Sequence, residues 1–575
     1  MVAAKKSSKN VAILEAKKEQ VASKAPHAAR ETVESIVVAV ILAFLFRAFI
    51  AEAFVIPTGS MAPTLQGRHM DVRCDKCGYP YRTGASTENT DSSQFCPVSR
   101  TTCPMCRYAM ELRKSTNPNH ESFSGDRIIV SKFAYLLGQP KRFEVIVFKY
   151  PGNAKQNYIK RLIGLPGETI RIRHGDILVR RGDEGAFSIA RKPPHKMLAM
   201  LQPVHDTNYR CPDLEQVGWP SHWQPVAAGA GVPSWSASRD GGGYDIRGGK
   251  GESWLRYHHV PPWPRDWVAI QQGQRPARLD GFQGQLITDY YEYNDYVLEG
   301  DPYRSRSEET QGSCWVGDLA LECDLEVQGA EGEILLDLVE GGTHYECRID
   351  VASGRARLSM HGGTGVFTDG QGRREVRPVA QTAVRGPGRY RIRYANVDDE
   401  VLLWVNNRLA CFDGPTTYAA PENVVPMWSR GDPGDLAPLG VGSCGASLHV
   451  RRLRVLRDIY YLAIKSNEQP EYSMPFSSGE IQQIMATPAM WSETSLFASR
   501  RTVDFALDQD EFFPLGDNSP QSKDARLWSQ GTRTPASVHR TLLIGKAVLI
   551  YWPHPWRGPL GLPLVPNLAR MGLIR

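Results

Sequence analysis

Four cysteines stand in the spacing that tetrahedral metal sites use. Cys74-x-x-Cys77 and Cys103-Pro-Met-Cys106 are two CxxC pairs with twenty-five residues between them. Each CxxC turn directs two thiolates at one ion, and two turns complete a zinc-ribbon-like site with no open position for catalysis. Disulfides are the alternative outside the cytoplasm, and Cys96 adds a fifth thiol to this stretch. The pattern predicts a structural element, with zinc favoured over disulfides.

Hydroxyl, amine and carboxylate side chains recur in four further motifs. In chain order these are PTGSMAPT (57–64), GDRIIV (125–130), YIKRLIGLPGE (158–168) and GDNSPQSKDAR (516–526). A serine hydroxyl is a poor nucleophile at its own pKa and needs an adjacent base. A lysine amine can be that base only where burial lowers its pKa towards neutrality. The apolar residues around Lys160 could supply such burial.

In this order, the four motifs resemble the boxes of type I signal peptidases. These membrane-bound serine endopeptidases remove signal peptides from exported pre-proteins after small residues (Ala-x-Ala). The resemblance implies that Ser60 is the nucleophile and Lys160 the general base of an acyl-enzyme mechanism that needs no cofactor. It also implies an oxyanion hole made of the Ser60 backbone N–H and the Thr58 hydroxyl.

Supporting roles follow from the same resemblance. The Ser522 hydroxyl would orient the amine of Lys160. Asp524 and Arg526 would form an ion pair beside the site, structural rather than catalytic.

Substrate recognition is also implied by the family. The signal peptide would add as an extended strand between residues 54–58 and 156–160. Shallow pockets would select small side chains, and Phe54 and Ile159 are the candidate pocket residues.

An apolar stretch near the N-terminus predicts a membrane anchor. Residues 36–46 are uninterrupted and apolar, and a signal-anchor helix over 32–52 would be long enough to span a bilayer. The basic tail 1–31 would then lie in the cytoplasm, with the catalytic domain on the extracytoplasmic side of the inner membrane. A cleaved signal ending at Ala51-Glu52-Ala53 is the alternative, but the polar region of over thirty residues before the apolar stretch is long for one.

Composition indicates a globular, mainly β protein of several domains. The chain has 575 residues, 41% hydrophobic and 23% charged, with 52 glycines and 40 prolines. A net charge of +6 over this length gives no sign of a nucleic-acid partner. The predicted fold is an anchor helix followed by an antiparallel β peptidase domain with two insertions. The predicted divisions are 1–31 (cytoplasmic tail), 32–52 (anchor), 53–73 with 116–195 and 465–552 (peptidase), 74–115 (cysteine ribbon), 196–464 (β-sandwich) and 553–575 (C-terminal tail).

The second insertion has the sequence pattern of a β-sandwich, with a series of short strand-like segments. Residues 388–414 and 447–461 resemble strands of laminin-G or concanavalin-like jelly-roll domains, which often bind carbohydrate or protein. Asp398 and Asp399 could be calcium ligands, but a pair of turn residues is the more economical interpretation. The tryptophans that could stack on a sugar, or pack in the core instead, are Trp235, Trp254 and Trp263.

Two other functions fit parts of the chain. A membrane-tethered carbohydrate- or protein-binding protein on an inactive protease scaffold would be favoured by loss of Ser60, Lys160 or Ser522, and all three are present. A self-cleaving Ser/Lys repressor would need a DNA-binding module, where this N-terminus offers an anchor instead. Signal peptidase is the function that the sequence favours.

Overall fold

A computed structural model describes most of the chain beyond the N-terminal region. The described residues are 30–41, 51–89, 95–182, 185–227, 235–238, 243–249, 251–300, 312–466, 471–529, 534–556 and 565–575. The predicted cytoplasmic tail 1–31 lies almost wholly outside them.

The predicted anchor helix is described only in part. Residues 30–41 are helical, residues 42–50 lie outside the described ranges, and Ala51 and Glu52 belong to a strand. The prediction of a helix through residue 52 is therefore wrong at its end, because Ala51 and Glu52 pair with Ser131 and Val130 of a neighbouring strand. No helix within the described ranges has the length and apolar character that crossing a bilayer requires.

Short helices and many strands make up the described chain. The helices are α1 (30–41), α2 (Ala134–Leu137), α3 (Pro194–Met200), α4 (Pro212–Gln216), α5 (Pro264–Gln271), α6 (Ser478–Met485) and α7 (Met490–Glu493). The strands of the first third are β1 (Ala51–Val55), β2 (His69–Arg73), β3 (Pro80–Gly84), β4 (Val98–Thr102), β5 (Ala109–Glu111), β6 (Arg127–Ser131), β7 (Val145–Tyr150), β8 (Asn153–Gly164), β9 (Glu168–Arg173), β10 (Asp176–Arg181) and β11 (Ser188–Ile189). Those of the middle are β12 (Gln202–Asp206), β13 (Trp223–Ala227), β14 (Trp235–Ala237), β15 (Tyr244–Ile246), β16 (Glu252–Tyr257), β17 (Tyr296–Leu298), β18 (Leu319–Val327), β19 (Glu333–Glu340), β20 (Thr343–Asp350), β21 (Arg355–Met360), β22 (Phe367–Thr368), β23 (Arg374–Glu375), β24 (Val379–Gln381), β25 (Gly388–Val397), β26 (Glu400–Val405), β27 (Arg408–Leu409), β28 (Leu439–Cys444) and β29 (Leu448–Arg457). The remainder are β30 (Thr502–Ala506), β31 (Glu511–Leu515), β32 (Val538–His539), β33 (Leu543–Trp552), β34 (Pro555–Trp556), β35 (Val565–Pro566) and β36 (Gly572–Leu573). The prediction of a mainly β protein is confirmed.

One large antiparallel sheet joins early and late parts of the chain. Its strand order is β1-β6-β33-β7-β8-β31-β32, and β36 adds to β33. In β7 the run Val145–Phe148 is buried on both faces, which is typical of a strand covered on both sides. The neighbouring β8 is thereby anchored deep in the molecule at its C-terminal half, where Leu162 and Ile163 are fully buried.

A smaller sheet, β11-β10-β9-β30, extends the same core. Strand β9 alternates strictly, with Ile170 and Ile172 buried and Arg171 and Arg173 half-buried. This period of two places one face of the sheet against the core. Both sheets contribute to one apolar cluster around Phe148, so they form a single body.

The cysteine-rich insertion forms a compact ribbon. Its strands pair as β2-β3 and as β17-β4-β5. The thiols are buried with apolar neighbours such as Met70, Tyr81, Val98 and Met110. Strand β17 comes from far along the chain, so the predicted ribbon 74–115 is completed by a segment that the sequence placed in the sandwich.

The second insertion is a β-sandwich. One antiparallel sheet runs β14-β15-β29-β18-β25-β26-β27 with β12 on β29, and the other runs β13-β16-β28-β19-β20-β21-β24. In β25, Tyr390, Ile392 and Tyr394 are buried while Arg389 and Arg391 are exposed. Alternate residues of both sheets meet in one large core.

The C-terminal segment packs on the large sheet and on strand β2. His554 is buried with Nδ1 3.1 Å from Nε2 of His69, and Arg570 donates to Asp126 at 2.6 Å. Strand β36 pairs with β33. The described residues of 553–575 therefore belong to the same body as the large sheet, where the sequence predicted a separate tail.

Candidate active site

A tight turn presents Ser60. Strand β1 ends at Val55, Thr58 is extended (φ −124°, ψ 157°), and Gly59–Met61 form one turn of 3-10 helix. Met61 is fully buried while Ser60 is half-buried. The buried Met61 side chain thus fixes the turn and leaves Ser60 partly exposed.

Lys160 on strand β8 meets Ser60. Its Nζ lies 2.7 Å from Ser60 Oγ and 3.1 Å from the carbonyl oxygen of Ile159. The side chain is 4% exposed. Burial lowers the pKa of the Lys160 ammonium from 10.5 to about 8, against the attraction of Asp524 and Asp517. The two residues singled out in the sequence are therefore in contact, with a lysine that can lose its proton near neutral pH.

Arg161 holds the strand from the opposite side. Its guanidinium is fully buried and makes two hydrogen bonds of 2.7 Å to the carboxylate of Asp517. It also donates to Thr64 Oγ1 at 3.0 Å and to the carbonyl of Phe143 at 2.8 Å. This cluster ties β8, the nucleophile segment and the fourth motif together. Sequence reasoning assigned it no role, although an arginine inside an apolar strand was a usable signal.

Asp517→Ala is expected to destabilise the peptidase part by about 3–5 kcal/mol, because it leaves the Arg161 guanidinium buried without a carboxylate. The matched control is Asp504→Ala, which removes the partner of Arg171 from a similar two-bond pair at 2.8 Å that is about one-third exposed. Its cost should stay within about 1 kcal/mol. Hydrogen exchange of the β8 amides measures both. Equal losses of stability in the two variants would show that the buried Arg161–Asp517 pair contributes no more to stability than the partly exposed Arg171–Asp504 pair.

The fourth motif closes behind the lysine. Asp524 and Arg526 are fully buried and pair at 2.8 Å, and the Asp524 carboxylate also accepts the N–H of Gly516 at 3.1 Å. A Cβ on Gly516 would lie 2.1 Å from Ser522 Oγ and 2.4 Å from the carbonyl oxygen of Ser60. Only glycine therefore allows this loop to approach the nucleophile turn. The predicted Asp524–Arg526 ion pair is present, and its supporting role beside the site stays a prediction.

Ser522 lies in this loop beside the nucleophile turn. It is 2% exposed, and its Oγ has no hydrogen-bond partner among the described residues. Its orienting role toward Lys160 stays a prediction.

The remaining predicted residues are Thr58, Phe54 and Ile159, and their proposed roles stay predictions. Thr58 is exposed and its side chain makes no capping hydrogen bond, so its hydroxyl is available to a ligand. Phe54 and Ile159 are half-buried and pack against one apolar cluster that includes Ile128 and Val147. They stand on β1 and β8, on either side of the Ser60 turn.

The four CxxC cysteines converge on one point. The sulfur atoms of Cys74 and Cys106 are 3.6 Å apart, those of Cys77 and Cys103 are 3.5 Å apart, and all four lie within 4.8 Å of one another. A disulfide needs about 2.05 Å. Four thiolates about 2.3 Å from a tetrahedral zinc lie about 3.8 Å from each other. The donor set and spacing fit zinc.

The two CxxC turns have the same backbone design. The N–H of Gly78 donates to the Cys74 carbonyl and that of Arg107 to the Cys103 carbonyl, both at 2.9 Å. Gly78 (φ 74°) and Arg107 (φ 57°) both take the left-handed conformation just after the second cysteine. Two equivalent turns facing each other are what a four-thiolate site requires.

The fifth cysteine near this cluster is not Cys96, the one that the sequence suggested. The thiol of Cys96 points to the carbonyl of Glu299 at 3.7 Å. Instead, Cys211, just before helix α4, is buried in the same cluster as the four CxxC cysteines. Its distance along the chain concealed this contact from sequence reasoning.

The predicted ligand residues of the sandwich have structural partners. Asp398 and Asp399 both have φ of 55° in the turn between β25 and β26, and Asp398 binds the buried ammonium of Lys192 at 2.5 Å. Trp235 and Trp254 are buried. The Trp263 indole N–H is 3.0 Å from the side-chain oxygen of Gln285.

Comparison with known proteins places the Ser60–Lys160 pair in a family context. Residues 29–80 and 105–200 match the family model described as signal peptidase, peptidase S26. The signal peptidase I of Pseudomonas aeruginosa is 38% identical over 82 residues, 12% of this chain and 29% of that protein. The signal peptidase I of Bacillus caldolyticus is 45% identical over 85 residues, 15% and 44% of the two chains. A probable signal peptidase I-2 of Synechocystis is 28% identical over 151 residues, 25% and 43% of the two chains.

The chain spans less than half the length of these curated relatives. The matches support a peptidase of the signal peptidase type over part of the chain, and both Ser60 and Lys160 fall inside the matched residues. Solved structures similar to the chain include a carbohydrate binding module of Bacillus subtilis (11% identity, TM-score 0.20, 40% of this chain and 95% of that one). A β-glucanase of Bacillus licheniformis has 6% identity and a TM-score of 0.21, over 40% and 91% of the two chains.

Proposed function

We propose that the chain is a membrane-bound signal peptidase that cleaves pre-proteins after Ala-x-Ala by a Ser/Lys mechanism. The observation that carries this proposal is the 2.7 Å approach of Lys160 Nζ to Ser60 Oγ in a buried setting. The match of both residues to the peptidase S26 model supports it. The alternative of a binding protein on an inactive scaffold is disfavoured by the same contact.

Acylation follows from this geometry. The neutral amine of Lys160 takes the proton of the Ser60 hydroxyl as Oγ bonds to the scissile carbonyl carbon. The Ser60 N–H and the Thr58 hydroxyl would donate to the oxyanion of the tetrahedral intermediate. The lysine ammonium then gives its proton to the leaving amine as the C–N bond breaks. A water molecule, deprotonated by the same amine, hydrolyses the acyl-enzyme and restores Ser60.

The substrate would bind between two free strand edges. Strand β1 pairs with β6 on one side and ends the order of its sheet among the described strands. Residues 153–160 of β8 pair with β7, whereas the pairing of β8 with β31 involves only Arg161–Gly164. An extended peptide can hydrogen-bond to such edges. Phe54 and Ile159 would then limit the size of the substrate side chains.

The membrane anchor belongs to the proposal as well. Within α1, Val33, Ile36 and Val38 are more than half exposed, although water is a poor environment for such side chains. An anchor through about residue 50 would bury them in lipid and leave β1 and the active site next to the extracytoplasmic surface.

The cysteine cluster would hold a structural zinc ion. Cys74, Cys77, Cys103 and Cys106 would be its ligands, and a bound zinc would hold the two CxxC turns together. No step of peptide cleavage passes through this metal, because four thiolates leave no coordination position open.

Cleavage of a pre-protein in detergent tests the function. The full chain is incubated with a pre-protein that carries an Ala-x-Ala site, and the new N-terminus is sequenced. We expect one cut directly after the second alanine and none with Ser60→Ala. A folded wild-type chain that leaves a panel of such pre-proteins intact would refute the proposal.

The pH dependence of cleavage follows from Lys160. The amine acts only when it is neutral, so kcat/KM should fall about tenfold per pH unit below about pH 8 and level off above it. The control is Lys196→Met, because burial lowers the pKa of Lys196 to about 8 as well, yet its Nζ binds the carbonyl of Phe143. The inflection should persist in that variant. If the inflection vanishes in Lys196→Met, the group that titrates is Lys196 and not Lys160.

A further inference from the structure

A short segment of the second insertion leaves the sandwich and reaches the nucleophile turn. Residues 288–298, here called the junction segment, remain tied to the sandwich at their start. Arg457 at the end of β29 donates to the carbonyls of Asp289 at 3.0 Å and Tyr290 at 2.8 Å. These buried bonds fix where the segment departs.

The same segment is also part of the ribbon. Strand β17 pairs with β4, and the N–H of Thr102 donates to the carbonyl of Asp295 at 3.3 Å. The guanidinium of Arg107 stacks on the ring of Tyr290 at 3.3 Å. The junction segment therefore contacts the two insertions at once.

Between these attachments, Asn294 binds Asn518 of the fourth motif. The two side-chain amides exchange hydrogen bonds of 2.7 and 2.8 Å, and both residues are buried, 7% and 1% exposed. Asn518 Nδ2 also donates to the Gly59 carbonyl at 3.1 Å, and its backbone N–H to the Ser60 carbonyl at 3.2 Å. Both Nδ2 hydrogens of Asn518 are thus used. Because Asn294 donates to Oδ1 and accepts from Nδ2, it sets which way the Asn518 amide faces.

Tyr293 closes the contact sterically. A Cβ added to Gly59 would lie 2.1 Å from Tyr293 Cε1, and one added to Gly84 would lie 2.8 Å from the same atom. The Tyr293 hydroxyl donates to the carbonyl of Arg68 at 3.3 Å. The ring leaves the nucleophile turn no room to move towards the ribbon.

We propose that Asn294 is a positioning residue for Ser60, which makes the second insertion a required part of the active site. The inference rests on the proposed peptidase function. Asn294 orients Asn518, and Asn518 holds the carbonyls of Gly59 and Ser60, which belong to the Gly59–Ser60 peptide and to the peptide that follows it. The Gly59–Ser60 peptide carries the N–H proposed for the oxyanion hole and the Cα from which Oγ points at Lys160. A displacement of about 1 Å at a reacting group can cost about a hundredfold in rate.

The test compares Asn294→Leu with Asn396→Ala in the full chain. Leucine keeps the approximate volume of Asn294 but removes both hydrogen bonds. Asn396 is equally buried in the sandwich and binds Glu340 and Tyr418 there, so its replacement reports on general damage to the insertion. We expect Asn294→Leu to lower kcat for pre-protein cleavage about 10- to 100-fold with KM within about threefold. Asn396→Ala should leave kcat within about threefold.

A second measurement does not depend on activity. Hydrogen exchange of the peptide covering residues 56–65 should be faster in Asn294→Leu than in wild type or Asn396→Ala. If wild type cleaves no pre-protein, the proposed function fails, and this exchange still decides whether Asn294 positions the turn. Unchanged exchange, unchanged kcat in an active Asn294→Leu chain, or an equal loss of kcat in Asn396→Ala would each overturn the inference.

Discussion

We expect Lys160→Met to lower the rate of pre-protein cleavage by about 10⁴-fold or more, with little change in substrate affinity. Methionine fills a similar volume but cannot accept a proton. Ser60 Oγ would lose the amine that lies 2.7 Å away. Its own hydroxyl pKa is far above neutral, so almost no alkoxide forms without the base.

The control for this variant is Lys196→Met. Burial lowers the pKa of Lys196 to about 8, as it does for Lys160, but Lys196 contacts Phe143 and not the serine. Its loss should change the rate by no more than about threefold. Ser60→Ala and the double variant Ser60→Ala/Lys160→Met should be as inactive as Lys160→Met, because the two residues act as a unit. Full activity in Lys160→Met would remove the mechanistic basis of the proposal.

Loss of the cysteine cluster is the second large effect expected. Wild type should contain one zinc ion per chain by metal analysis, and Cys77→Ser should lose it together with the fold of the ribbon. Zinc binding to such sites is worth on the order of 10 kcal/mol of folding free energy. Rapid proteolysis within residues 69–111 would report the unfolding. The cause is the missing thiolate, since one ligand fewer opens the tetrahedral site.

Cys96→Ser is the matched control for the metal site. Its sulfur lies in the same stretch but faces the carbonyl of Glu299, so zinc content and protease resistance should stay at the wild-type level. One outcome would contradict the zinc prediction and identify disulfides instead. A wild-type chain without zinc and with four of its eleven thiols unreactive would contain two disulfides in place of the metal.

The sequence predicted the features of the fold and of the site that depend on short local motifs. The alternation of arginines with Tyr390, Ile392 and Tyr394 predicts a half-buried strand, and β25 has that form. The CxxC spacing predicted that four thiols would meet, and they do. The motif order predicted contact between Ser60 and Lys160, which the structure shows although one hundred residues separate them.

Contacts without a local signature could not be predicted. Asn294 lies in a tyrosine-rich stretch without a periodic pattern of apolar residues. Its role depends on Asn518, which is 224 residues further along the chain. The residues of 553–575 look like a basic tail because burial of His554 depends on His69, which is 485 positions earlier. Pairing of β1 with β6 likewise places Ala51 and Glu52 in a strand, which hydropathy alone does not predict.

The bond from Asn518 to the Gly59 carbonyl spans 459 residues, and this separation sets an order of events during synthesis. At about 5–20 residues per second, the nucleophile turn is made tens of seconds before the residues that hold it. Lys160 appears early in that interval, but the junction segment follows later and Asn518 last. The growing chain therefore carries Ser60 and Lys160 through the synthesis of the 358 positions from Lys160 to Asn518 without the contacts that align them. The proposed Ser60–Lys160 pair is therefore held in place only after Asn518 has been synthesised.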